Sequence, residues 1–130
     1  MTSPVMRDLD RVVAVEGVTM TKAQARKEAE RRFGPTWMMS DDGTPSSPAL
    51  RDAAMRDLRT LRAMPRDQRP ADWRRRENAL MGAATRYRYC VGRRAVGFLV
   101  EGMGDSWADA FADHDKREAA DRKRFAEAAL

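Results

Sequence analysis

Apolar residues recur every three or four positions in several stretches of this chain and every second position in one, and that contrast sets out the elements. Thr21 with Gln24 three residues on has the form of a capping box, in which each side chain takes up a free amide at the helix end. Ala25, Ala29 and Phe33 then repeat at intervals of four, and Gly34-Pro35 stops the run, so a helix is predicted over 22–33. Pro35 to Ser40 reads as a short strand closed by an Asp41-Asp42-Gly43 turn. Ser47-Pro48 opens a second helix, in which Leu50, Ala54, Leu58 and Leu61 share one arc. Arg51 and Arg62 border that arc, Arg56 and Arg59 point away, and Pro65 ends the helix. A third helix is predicted over 71–84, apolar at Trp73, Leu80, Met81 and Ala84, with Arg74, Arg75 and Arg76 fanned around its first turns. From Thr85 to Val91 the period changes to two: Tyr87, Tyr89 and Val91 alternate with Arg86, Arg88 and Cys90. Gly92-Arg93 supplies a turn and Val96, Phe98 and Val100 alternate in a return strand, which makes a hairpin. Gly102 to Asp105 breaks the strand, and Ser106 with Asp109 caps a last helix. Trp107, Ala110, Phe111 and His114 share its apolar face, which continues as Glu118, Asp121 and Arg122, so about two turns can bury.

These elements predict an α+β fold in the order α-β-αα-β-β-α: a small antiparallel sheet of about three strands with helices packed on one face. The helical pair at 47–84 is inserted between the first strand and the hairpin. Residues 1–19 form an N-terminal extension whose order stays open: Ser3-Pro4 suits a helical turn and Arg11 to Val15 a short strand. Residues 20–115 are expected to make one domain. Residues 116–130 project as the end of the last helix, into solvent or against another chain, so self-association through that helix stays open. Trp37, Trp73 and Trp107 all sit at apolar-periodic positions and are expected in the core.

Charge changes this picture most in the middle of the chain. Residues 51–94 hold thirteen Arg, no Lys and five acids, a net of +8, whereas residues 1–50 come to zero and 95–130 to −3. GC-rich coding explains a preference for Arg over Lys; it does not explain its concentration. Arg presents a planar fork of donors suited to phosphate and carboxylate. Arg74, Arg75 and Arg76 from the third helix, Arg86 and Arg88 from the first hairpin strand, and Arg93 and Arg94 at its turn are therefore the candidate contacts for an anionic partner.

The order helix, strand, hairpin, helix resembles the double-stranded-RNA-binding-domain fold, and Phe98 to Ala110 looks like that family's last strand, Gly-rich turn and final helix. The family places a basic cluster at the start of that helix to reach phosphates across the groove. The matching positions here are Trp107, Ala108 and Asp109, so the resemblance implies a fold and brings no site. The same stretch, with Thr21-Lys22-Ala23 and Arg31 to Pro35, is similar to small uncharacterised proteins of bacteriophages and prophages.

One Cys and one His cannot make a structural zinc set, and no cofactor is expected. Asp109, Asp113 and His114 read as a solvated acidic face beside a half-buried ring. Cys90 with His114 is the single thiol–imidazole combination available, and a Cys beside Val91 on a strand reads as a small hydrophobe. Gly102-Met103-Gly104 lacks the Lys-Ser/Thr of a phosphate loop. An enzyme is not expected. The lone Cys, the absence of an apolar run of about 18 residues and a start without a signal-peptide pattern suggest a cytoplasmic protein with no membrane partner. Two function classes remain: a non-catalytic nucleic-acid-binding accessory protein, and an anti-CRISPR-like inhibitor that binds a host nucleic-acid-handling or defence complex.

Overall fold

Helix α1 (Lys22–Phe33) starts where the capping box predicts: Thr21 accepts from the Gln24 amide, and the Gln24 side chain accepts from the Thr21 amide at 2.9 Å. Gly34 ends it at φ +66, a left-handed geometry that suits glycine. The chain is seen here in a computed structural model that describes residues 19–129; the expectations for residues 1–18 lie outside these. Strand β1 (Trp37–Asp41) follows a single 3₁₀ turn. Helices α2 (Pro48–Ala63) and α3 (Trp73–Ala84) come next, then strands β2 (Tyr89–Ala95) and β3 (Gly97–Gly104) and helix α4 (Trp107–Ala128). The fold is α+β, and its described residues fall into two compact units. A sheet unit runs through Thr44 and from Arg88 onwards; a helical unit spans Pro45–Tyr87.

In the sheet unit β2 is central and both its neighbours are antiparallel. Trp37, Met39 and Asp41 stand opposite Arg93, Val91 and Tyr89, so this parity marks one face. Helices α1 and α4 cover that face. Ala25, Ala29 and Phe33 meet Val91, Trp107, Ala110 and Phe111 in one buried cluster, flanked by Met20, Trp37, Met39 and Tyr89. Tyr89 meets Trp107 edge-on at 4.7 Å. Trp107, Ala110, Phe111 and His114 are all buried, as their spacing predicts, and the helix is exposed from Asp115 on. Arg32 ties α1 to α4: its Nη1 donates to Asp115 at 2.7 Å and to the Phe111 carbonyl at 3.3 Å and lies 3.0 Å from His114 Nδ1, while its Nε meets Glu28.

The hairpin departs from expectation in three ways. Its first strand starts at Tyr89, after Thr85 to Arg88. The chain reverses at the fully exposed Val96, with Gly97 at φ +88, and not at Gly92-Arg93. Gly92 lies inside β2 because a β-bulge there inserts Glu101 into β3: Val91 faces Gly102 but Gly92 faces Val100. A Cβ on Gly92 would come within 2.0 Å of the Leu99 carbonyl oxygen, so close approach requires this glycine.

In the helical unit Ser47 caps α2, and Ala54, Leu58 and Leu61 are buried. Leu50 is 52 % exposed, against the reading of the apolar arc. α2 has 16 residues and α3 has 12, so α3 is too short to face the whole of α2. No residue of α3 is fully buried, and Met81 and Trp73 are exposed and half-buried, since one facing helix cannot enclose them. Arg62 bonds to Glu77 at 2.9 Å between the helices, and Arg51 stacks on Tyr87 at 3.9 Å while donating to the Arg86 carbonyl at 3.0 Å. α3 begins at Trp73 and not at residue 71. Asp72 stands at its N-cap but makes no capping bond, because Arg75 and Arg76 hold its carboxylate at 2.9 Å each.

Candidate nucleic-acid interface

The seven predicted arginines divide between the units: Arg74, Arg75, Arg76 and Arg86 in the helical unit, Arg88, Arg93 and Arg94 in the sheet unit. Their surroundings differ. Arg88 reaches back to Asp41 at 2.7 and 3.3 Å and lies over the Tyr89 ring. Arg93 pairs with the bulge residue Glu101 and lies 5.3 Å from the Phe33 ring. Arg94 is exposed and has no ion pair among the described residues. Arg86 donates to the Pro45 carbonyl at 3.0 Å. Arg75 and Arg76 share Asp72, and Arg74 lies over the Trp73 ring at 5.2 Å.

Distant carboxylates thus neutralise much of the hairpin's charge. The helical unit is different: residues 45–87 hold ten Arg against five acids, and the rest of the chain holds fifteen basic and fifteen acidic residues. The whole formal excess of +5 sits in this one unit. Arg56, Arg59, Arg66 and Arg74 are exposed there with no carboxylate partner among the described residues. Arg66 and Arg69, which charge counting did not single out, lie 5.8 and 4.5 Å from the Trp73 ring, on the same indole as Arg74. Their spacing about Trp73 in the loop before α3 is the sequence signal that could have marked them. Beside them an apolar groove of about 570 Å³ runs between α2 and α3, lined by Leu61, Met64, Pro70 and Leu80 with Arg76 and Asp57 at its edge.

Three carboxyls are held below their ordinary values by these arrangements. Glu28 is lowered by hydrogen bonding from Arg31, against the opposing effect of burial, and then by Arg32. Asp41 is lowered by Arg88 and by the Gly43 amide, and Asp72 by Arg75 and the nearby charge of Arg76. A carboxyl depressed in the folded state contributes stability above its unfolded pKa and loses it as pH falls through the folded value. The midpoint of thermal unfolding is therefore expected to fall steadily below about pH 4.5, less steeply in Glu28→Gln with Asp41→Asn. A melting series from about pH 6 to 2.5 checks this; parallel slopes for wild type and double variant would refute it.

Cys90 lies on the sheet face opposite to Val91, whereas buried His114 meets Phe33 of the cluster on the Val91 face. Asp113 accepts from the Met103 amide at 2.9 Å and pairs with Arg117 at 3.0 Å. Among the described residues no three His, Cys, Asp or Glu side chains are placed to hold a metal ion. No helix among them is long and apolar enough to cross a membrane. No protein-family model, curated protein or solved structure matches the chain.

Proposed function

We propose that this protein is a non-catalytic accessory protein, of phage or prophage type, that binds nucleic acid through the arginine-rich helical unit. One observation carries this reading: the entire positive excess of the chain lies in residues 45–87, as Arg without Lys. Guanidinium forks on two packed helices suit a phosphate backbone, where each contact releases condensed counterions. Such contacts grip the backbone and carry little sequence information. Binding is expected at about 50 mM salt to a generic duplex or single strand, with affinity falling roughly 10³-fold or more by about 200 mM. A gel-shift series across salt checks it, and no shift at the lowest salt would remove the proposal.

The apolar groove between α2 and α3 favours a second reading, an inhibitor that docks on a host nucleic-acid-handling or defence protein. That reading predicts stoichiometric capture of one protein that survives nuclease treatment.

A further inference from the structure

We propose that Arg66, Arg69 and Arg74, gathered on the indole of Trp73, form a cradle for a phosphodiester of the nucleic-acid backbone; this rests on the nucleic-acid reading above. The three guanidinium carbons lie 5.8, 4.5 and 5.2 Å from the centre of the ring. Several arginines elsewhere meet carboxylates: Arg62 has Glu77, Arg75 and Arg76 have Asp72, Arg88 has Asp41 and Arg93 has Glu101. The three around Trp73 have none among the described residues. Asp72, next in sequence to Trp73, is occupied by the two arginines that point elsewhere.

Three like charges around one ring repel each other. The π face of the indole offsets part of that repulsion, and an anion among them would offset the rest. The cluster is also fixed in place. Arg69 donates from Nε to the Met64 carbonyl at 2.9 Å and from Nη2 to the Arg62 carbonyl at 3.1 Å, which ties the loop between α2 and α3 to the end of α2. Arg66 and Arg74 stand on either side of Trp73 in sequence, with exposed heads. A phosphodiester has one negative charge shared by two free oxygens; two forks can each take one oxygen while Arg69 holds the field positive. Guanidinium groups already held on a ring lose less freedom on binding than free ones.

The test compares two variants that each lose two charges: Arg66→Ala with Arg74→Ala, and Arg56→Ala with Arg59→Ala on the outer side of α2. Affinity for a duplex of about 20 base pairs is measured as a function of salt, with circular dichroism confirming the fold. The first variant is expected to lose about two units of salt slope and at least about tenfold in affinity near 100 mM salt; the second, less than about threefold. Equal losses, or a larger loss in the second, would show diffuse charge without a cradle, leaving the nucleic-acid reading intact. Failure of the unaltered protein to bind would overturn both. As an independent readout, Trp73→Phe should abolish any change in tryptophan emission on binding; a change retained in this variant would place the contact away from the ring.

Discussion

Gly102→Ala should cost the sheet unit about 3 kcal/mol or more, read as a large drop in its denaturant midpoint. Gly102 and Gly104 lie on the face of β3 that α4 covers, opposite Val91 and Tyr89. A Cβ on Gly102 would fall 2.2 Å from the Ala110 carbonyl oxygen and 3.1 Å from the His114 side chain. One on Gly104 would fall 2.5 Å from the Ala110 amide nitrogen. The nearest of these contacts are to backbone atoms, which no flexible side chain can relieve; α4 must lift. Lifting it opens the packing of Trp107, Ala110 and Phe111, the three residues that α4 gives to the cluster. Small domains hold about 5–15 kcal/mol in total, so the change threatens the unit as a whole. Gly82→Ala in α3 provides the contrast: nothing lies within 4 Å of its new Cβ, and helix propensity favours alanine by about 1 kcal/mol. A Gly102→Ala protein that melts with the wild type would mean that helix and strand do not touch backbone to backbone.

The same glycines show what the sequence discloses and what it conceals. The face of α4 was legible because period, cap and breaker agree at Ser106, Trp107, Ala110, Phe111 and His114. Gly102 to Gly104 read as a strand break, whereas these residues form the end of the strand and admit the helix, a relation between segments that no local rule encodes. Gly92 resembled a turn glycine for the same reason; its need arises from the Leu99 carbonyl of the neighbouring strand, beside the bulge at Glu101. Trp73 had the right period for a core, but α3 is covered by a single helix and its ring is lined by guanidinium groups instead. The charge pattern was visible at the scale of the middle segment and misleading at the scale of residues. Arg88 and Arg93 owe their neutralisation to Asp41 and Glu101, and a window of sequence does not pair across a sheet. The division at Tyr87 cuts the basic block in two, and the part that keeps its excess charge is the helical one.

If that part binds nucleic acid as proposed, Asp72 should set the strength of binding. It holds Arg75 and Arg76 at 2.9 Å each, and hydrogen bonding from Arg75 keeps its carboxyl ionised below its ordinary range. Removing Arg74, Arg75 and Arg76 together, each to Ala, therefore does more than delete three cations: it uncovers a carboxylate at the start of α3 that repels phosphate. The triple variant is expected to bind a duplex about 100-fold or more weakly near 100 mM salt, with a salt slope shallower by up to about three units. Asp72→Asn should act in the opposite sense. Both arginines are released while an asparagine remains a favourable residue at the helix start, so the fold is kept. Affinity should rise by about three- to tenfold and the slope steepen by up to about two units. Salt titrations of the two variants beside the wild type read both effects. A triple variant that binds normally would place the interface outside α3; an Asp72→Asn protein that binds less well would show that the carboxylate orients Arg75 and Arg76 for the phosphate and does not compete with it.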